Sequence, residues 1–192
     1  MKWNRKFVYP KSIRSTDNGI RRYLIGEKKL PSVTSILDKT KSEEDKAALA
    51  NWVERTGLKE SEAIVKAASS RGSKMHAYLE SFLLGRENLS FFDDNEQYKI
   101  MAKQIIEKGL INRFEEVWGV ECTLYKPDSY SGTCDAVGVY DGRESIIDFK
   151  QSNKPKKFEY IDSWLLQTAA YSLAHNTVYN SNITACVILV CT

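Results

Sequence analysis

Residues 132–150 read GTCDAVGVYDGRESIIDFK, two β-rich runs joined by Asp141-Gly142. An Asp-Gly pair between alternating apolar runs is a strong signal for a tight hairpin, because a type I′ turn needs positive φ at both central residues. With these two residues as the loop, Asp135 lies directly across from Asp148. The stretch therefore predicts an antiparallel hairpin with two opposed carboxylates.

One face of this hairpin combines charge with apolar side chains. Because side chains alternate with period two, both acids share that face with Lys150 and with Val137, Val139 and Ile146. Opposed like charges destabilise a sheet, and a divalent cation held between them offsets the repulsion. Lys150 then points into the same site. The alternatives are a solvent-exposed face with an ordinary Lys150 ion pair, or a one-residue slip of register. Asp128 belongs to the preceding loop.

The composition is that of an ordinary globular protein. The chain has 192 residues, 42% hydrophobic and 28% charged, which suits one domain with a sizeable core. We expect a single domain over 1–192, with a mainly helical lobe and basic start over 1–110 and an α/β core over 111–192. No apolar run is long enough for a membrane span, and the start MKWNRKF lacks the apolar segment of a signal peptide. These features predict a cytoplasmic protein.

Basic residues are unevenly distributed. Residues 1–30 carry nine Lys or Arg against Asp17 and Glu27, and a second basic cluster follows the hairpin at 154–157. Aromatic side chains are interleaved with the first cluster at Trp3, Phe7, Tyr9 and Tyr23. Basic residues beside stacking rings suit a nucleic-acid strand. The alternative is a solvated basic surface with the rings in the core.

Four cysteines fall in predicted strands without zinc or iron–sulfur spacing, namely Cys122, Cys134, Cys186 and Cys191. We interpret them as reduced, buried thiols in preference to a metal cluster.

The element pattern is α/β. Residues 1–30 read as irregular or short extended segments with a turn near Asp17-Asn18-Gly19, and helices are expected to begin at Ser32 and Ser42 as N-caps. Further helices are predicted over 59–68, 73–84, 95–108 and 160–175, and strands over 114–125, 132–140, 145–151 and 183–191. The helical crossover places the last strand parallel to an earlier one. Since the chain stops within an apolar strand, we expect a truncated or unusually short C-terminus.

Two helical pairs accompany the hairpin. His76 and Glu80 stand at i, i+4 beside an apolar stripe, and Gln167 and Tyr171 stand at the same spacing in a later helix. Taken singly, each pair is more typical of a core histidine or a helix surface than of a functional site.

Together, the segments RGSKMHAYLE, GTCDAV, IIDFK and QTAAY, with Glu121 on the strand before the loop, resemble the PD-(D/E)XK nuclease superfamily. The resemblance is to its RecB-like branch, and the stretch LPSVTSILDKTKSEEDKAALANWVERTG resembles phage exonucleases related to the mitochondrial genome maintenance exonuclease. It covers about residues 30–192. It implies a restriction-endonuclease-like core, a mixed β-sheet flanked by helices, with an N-terminal helical lobe.

The resemblance also implies residue roles. Asp135, Asp148, His76 and the backbone carbonyl of Phe149 would bind Mg²⁺ or Mn²⁺, and the imidazole tilts the balance toward Mn²⁺. Lys150 would orient or deprotonate the attacking water. Further roles would fall to Glu121, in assisting the metal site, and to Gln167 and Tyr171, in bracing the site and touching DNA.

The function predicted from these residues is a metal-dependent DNA exonuclease of phage type that acts on DNA ends and favours single strands. One alternative is a structure-specific or restriction-type endonuclease of the same superfamily. Another is a DNA-binding module with an inactive site, which has no need to keep opposed carboxylates.

Overall fold

The structure is a computed structural model that describes residues 1–86 and 96–192. It is a mixed α/β protein with a mixed β-sheet flanked by helices. The strands are β1 (Lys2–Trp3), β2 (Ile13–Asp17), β3 (Ile20–Ile25), β4 (Lys28–Pro31), β5 (Phe114–Lys126), β6 (Tyr130–Tyr140), β7 (Arg143–Gln151) and β8 (Ala185–Cys191). The α-helices are α1 (Val33–Lys39), α2 (Glu43–Thr56), α3 (Leu58–Leu83), α4 (Gln97–Ile105) and α5 (Asp162–Tyr179).

The main sheet has the order β1-β5-β6-β7-β8. The hairpin β6–β7 has the predicted register, from Tyr140 opposite Arg143 to Ala136 opposite Ile147. Asp141 and Gly142 both have positive φ, 46° and 73°, as a type I′ turn requires. The last strand, β8, runs parallel to β7, which confirms the crossover predicted for the helix between them.

Helices cover both faces of this sheet. On one face, α3 and α4 bury Met75 and Leu79 against Ile147 and Phe149. On the other, α5 covers a cluster that includes Val137 and Ile146, both fully buried. The predicted apolar face of the hairpin is therefore covered, which argues against a solvent-exposed face.

Helix α3 differs from the prediction of two helices over 59–68 and 73–84, which was wrong. It is continuous for 26 residues through Gly72. A glycine inside a helix costs about 1 kcal/mol relative to alanine, and packing of the helix on the sheet outweighs that cost. At Gly72 the helix approaches Gln151 of β7, because a Cβ there would lie 3.6 Å from its side chain.

Helices α1 and α2 begin directly after their predicted N-cap residues. Ser32 and Ser42 accept hydrogen bonds from the backbone N–H groups of Ser35 and Asp45 and so cap α1 and α2 as predicted. Helix α4 begins at Gln97, and Asn95, where the sequence pattern placed its start, lies outside the described residues. After Ile105 the helix continues as a π-helix over Ile106–Leu110.

The N-terminal region is more regular than its sequence suggests. Strands β2, β3 and β4 form a separate three-stranded antiparallel sheet, with the predicted turn at Asn18 and Gly19, both at positive φ. Two of the basic side chains of this sheet, Lys28 and Lys29, are paired with Asp128 and Asp17.

The aromatic side chains of this region pack against the protein. Tyr23 is buried, and Phe7 and Tyr9 form ring contacts around His175. These contacts favour the second of the two interpretations for these three side chains, namely rings that belong to the core. Trp3 remains 40% exposed and donates a hydrogen bond from Nε1 to the Leu83 carbonyl.

All four cysteines are free thiols, as predicted, and three of them are buried. Cys186 is exposed on β8, which corrects the expectation that every thiol is buried. No helix within residues 1–86 or 96–192 combines the length and apolar character needed to cross a bilayer.

Candidate metal centre

Three acidic residues lie at the same level of three neighbouring strands. The β5–β6 ladder pairs Val120 with Ala136 and Cys122 with Cys134, so Glu121 and Asp135 oppose each other between these pairs. On the other side, the β6–β7 ladder ends at Ala136 opposite Ile147, and Asp135 and Asp148 are the next residues of the two strands. The two acids are close enough for the charge of Asp135 to raise the pKa of Asp148. The sequence thus concentrates three carboxylates at one point of a largely buried sheet.

Glu121 occupies a strained position. Its φ is 49°, in the left-handed region that non-glycine residues seldom adopt. The ladder between β5 and β6 also shifts register twice just before it, between Phe114 and Glu116 and between Val117 and Gly119. Such irregularities re-aim side chains near functional sites.

Helix α3 brings His76 to this point. Its Nδ1 atom lies 3.3 Å from Oδ1 of Asp135. The other carboxylate oxygen of Asp135 accepts a 2.6 Å hydrogen bond from the backbone N–H of Phe149, which fixes the carboxylate. Ligand atoms of His76, Glu121 and Asp135 all lie within 4.8 Å of one another. One ion could therefore reach one atom from each of these three residues.

Asp148 lies just outside that group and is only 2% exposed. Its Oδ2 atom contacts the Lys150 ammonium as an ion pair, yet it accepts no hydrogen bond of ordinary geometry from the described residues. A buried carboxylate is costly without a countercharge, and Lys150 supplies one to Asp148. The donor set of carboxylate oxygens and one imidazole nitrogen fits a divalent cation such as Mg²⁺ or Mn²⁺.

The ionisable side chains of this candidate metal centre shift one another's pKa values. Glu121 is an exposed residue, but neighbouring protein atoms partly desolvate its carboxyl. This partial burial and the negative charge of Asp135 raise the pKa of Glu121 to about 7. Burial likewise raises the pKa of Asp148, against the opposing effect of Lys150. Burial alone lowers the pKa of His76, but the hydrogen bond to Asp135 and the negative charges of Asp135 and Asp148 together outweigh burial, and the net shift is upward. A divalent cation would offset the repulsion between these carboxylates. It would take the place of the protons whose binding the raised pKa values of Glu121 and Asp148 favour.

Lys150 begins a hydrogen-bonded chain to α5. Its Nζ donates to Oε1 of Gln167 at 3.3 Å, and Nε2 of Gln167 donates to the Tyr171 hydroxyl at 3.3 Å. Tyr171 is 3% exposed. The structure thus joins the predicted Gln167/Tyr171 pair to Lys150.

A cleft of about 760 Å³ lies between α3 and the sheet, next to the candidate metal centre. Its lining includes His76, Glu80, Glu121 and Lys150. Asp128, by contrast, lies in the turn after β5 and pairs with Lys28, so it takes no part in the site, as the sequence indicated.

Two basic residues near this cleft were not among the predicted site residues, although Arg14 belongs to the basic cluster of residues 1–30. Arg14 of β2 lines it. Arg71 of α3 donates from Nε to Oε1 of Gln151 at 2.9 Å and so ties the helix to the end of β7. Arg71 stood in the RGSKMHAYLE segment, but nothing in its spacing pointed to Gln151. The position of Arg14 depends on a docked sheet that the sequence pattern did not reveal.

Comparison with known proteins supports a nuclease relationship. The chain is 30% identical to human mitochondrial genome maintenance exonuclease 1 over 174 residues, which is 84% of this chain and 48% of that protein. It is 28% identical to the protein of the same name from Xenopus tropicalis over 171 residues, again 84% of this chain and 48% of the relative. The mouse protein matches at 30% over 132 residues, or 66% of this chain and 38% of the relative.

The chain therefore spans less than half the length of these relatives. No protein-family model matches it. The shared sequence supports kinship with an exonuclease-related family.

Proposed function

We propose that this protein is a divalent-metal-dependent DNA exonuclease with a PD-(D/E)XK, restriction-endonuclease-like core. The observation that carries the proposal is the meeting of Glu121, Asp135 and Asp148 on three neighbouring strands, with His76 above them and Lys150 alongside. Three neighbouring carboxylates repel one another. A bound metal ion would stabilise them and would serve catalysis.

Within this proposal, His76, Glu121, Asp135, Asp148 and the backbone carbonyl of Phe149 hold Mg²⁺ or Mn²⁺. Support comes from ligand atoms of His76, Glu121 and Asp135, which lie within 4.8 Å of one another, and from the burial of the neighbouring Asp148. When bound, the metal polarises the phosphoryl oxygen and stabilises charge at the leaving oxygen.

Lys150 holds the attacking water and counters negative charge on the phosphate. Its ammonium is fixed from two sides, by the Asp148 carboxylate and by the side-chain oxygen of Gln167. Tyr171 in turn accepts a hydrogen bond from Gln167 and keeps that amide in place. Such fixed geometry is what proton transfer and charge stabilisation require.

The substrate, the phage origin, the strand preference and the cellular compartment are inferred from resemblance to related proteins. The relatives' names support an exonuclease, and an exonuclease of that kind implies DNA as substrate. We infer a single nuclease domain over 1–192 of phage origin, a preference for single strands, and action in the host cytoplasm. The exposed basic loop at 154–157, directly after β7, provides positive charge near the cleft for a DNA backbone.

The proposal is tested with end-labelled linear and covalently closed circular single-stranded DNA, incubated with Mg²⁺, Mn²⁺ or EDTA. We expect cleavage of linear DNA in either metal and none in EDTA, with Asp148→Asn and Lys150→Met each at least about 100-fold slower. Asp38→Asn and Lys108→Met, which change equivalent charges on exposed helical positions away from the cleft, should match wild type.

Three outcomes would contradict the proposal. Cleavage of the closed circle would indicate an endonuclease instead. DNA binding without cleavage in any metal would indicate an inactive binding module. Wild-type rates in Asp148→Asn or Lys150→Met would refute the roles of those residues.

A further inference from the structure

Arg14 is directed toward the candidate site by the register of the N-terminal sheet. It lies directly opposite Tyr23 in the β2–β3 ladder, and opposed residues of an antiparallel pair place their side chains on the same face. Tyr23 is 4% exposed, so this face is turned toward the protein. The neighbouring pair, Ser15 and Arg22, occupies the opposite face.

Hydrogen bonds hold the sheet in this position. The Tyr23 hydroxyl accepts from the Thr133 hydroxyl of β6 at 3.3 Å. Just before β2, the hydroxyl of Ser12 pairs with that of Thr123 of β5 at 2.8 Å. These two contacts flank the position of Arg14 along the chain, so its backbone is fixed relative to the strands that carry Glu121 and Asp135.

The guanidinium of Arg14 is available for a ligand. Arg14 is exposed and forms no ion pair with any residue in the described ranges. In the same sheet, Lys28 and Lys29 both have carboxylate partners. Arg14 lines the cleft together with Glu121, and its positive charge lowers the pKa of that carboxyl against the larger upward effects.

Two positively charged residues, Lys150 and Arg14, line the cleft. They lie on different sides of the three acidic residues. Lys150 belongs to β7, whereas the sheet that carries Arg14 is docked on β5 and β6. A phosphodiester chain crossing the metal site carries one negative charge per nucleotide. With Lys150 directed at the reacting phosphate, the other cation is suited to a neighbouring phosphate.

On the basis of the proposed nuclease function, we propose that Arg14 binds a non-bridging oxygen of a phosphate next to the scissile one, on the β5 side of the site. The arginine fork suits two oxygens of one phosphate, and such contacts fix the register of a strand without reading its sequence.

The test compares Arg14→Gln with Arg22→Gln, a matched loss of charge on the opposite face of the same hairpin. We expect Arg14→Gln to raise KM for a single-stranded oligonucleotide about tenfold with kcat nearly unchanged, and Arg22→Gln to change KM less than about twofold. Arg14→Lys should fall between wild type and Arg14→Gln, because it keeps the charge and loses the fork.

A series of oligonucleotides with a single neutral methylphosphonate gives a second readout. Wild type should lose affinity, measured in Ca²⁺ to suppress cleavage, at one position adjacent to the cleaved bond, whereas Arg14→Gln should show no penalty there. Two results would overturn the inference about Arg14: equal KM values for the two glutamine variants, or an equal methylphosphonate penalty in wild type and Arg14→Gln. In either case, cleavage by the wild-type protein would still support the nuclease proposal. A wild-type protein that neither binds nor cleaves DNA would overturn both.

Discussion

Protonation of His175 should destabilise the fold in mild acid. His175 is fully buried. Its Nε2 pairs with the Tyr9 hydroxyl at 3.2 Å and its Nδ1 with the Ser181 hydroxyl at 2.7 Å. The rings of Phe7 and Tyr179 pack at centroid distances of 4.8 and 4.7 Å. Burial in this pocket lowers the pKa of His175 from 6.5 to about 4, against an opposing effect of Glu144 and with a smaller downward contribution from Lys6.

The sign and size follow from proton linkage. Between pH 6.5 and 4 the unfolded chain binds a proton at this histidine and the native protein does not, so stability is complete above pH 6.5 and falls as the pH drops toward 4. The full pKa difference corresponds to about 3 kcal/mol, and about 2 kcal/mol of it is lost between pH 7.5 and pH 5.

Urea unfolding of wild type and His175→Gln at pH 7.5 and pH 5 measures this contribution. Glutamine is of similar polarity but does not titrate, so the variant should lose about 2 kcal/mol less than wild type over the same pH change, whatever its stability at pH 7.5. Carboxylates and His76 titrate in both proteins and cancel in the comparison. An equal loss of unfolding free energy in the two proteins would refute the reasoning.

Three further substitutions test the packing around the site. Gly132→Ala should destabilise the protein by about 1–3 kcal/mol in urea unfolding, because the new Cβ would lie 2.7 Å from Cε1 and Oη of buried Tyr171; unchanged stability would contradict this contact. Gly72→Ala should instead stabilise by about 1 kcal/mol, since it adds helix propensity with only a 3.6 Å contact to Gln151, and a loss of stability would show that the contact is tighter. Tyr171→Phe should cost about 1 kcal/mol or less and slow DNA cleavage about threefold to tenfold by releasing Gln167; wild-type cleavage would exclude a bracing role.

The hairpin was predictable because it depends on local chemistry. The Asp141-Gly142 turn fixes the register of β6 and β7, which pair as predicted, from Tyr140 opposite Arg143 to Ala136 opposite Ile147. The caps at Ser32 and Ser42 are equally local, since each needs only a side-chain oxygen and the N–H groups of the following turn.

The opposition of Glu121 and Asp135 required information that the sequence pattern does not contain. It depends on two register shifts in β5, and one of them lies beside Gly119, where a Cβ would lie 2.5 Å from the ring of Tyr9. A period-two analysis of β5 does not predict where such shifts occur.

Two further features could not be predicted because they depend on tertiary packing. Interleaved Phe7, Tyr9 and Tyr23 look the same in sequence whether their faces bind bases or neighbouring rings, and contacts with distant residues such as His175 decide between the two. The continuity of α3 through Gly72 was missed for the same reason, because helix propensity is weaker than packing on the sheet.

Metal binding by the purified protein tests the central claim most directly. Calorimetric titration with Mn²⁺ at pH 7.5 should show binding to wild type and to the surface control Asp38→Asn, and at least about tenfold weaker binding to Asp135→Asn, which loses the carboxylate charge nearest His76. Asp135→Asn that stays folded and binds Mn²⁺ as tightly as wild type would contradict the proposal that these acids form a metal centre.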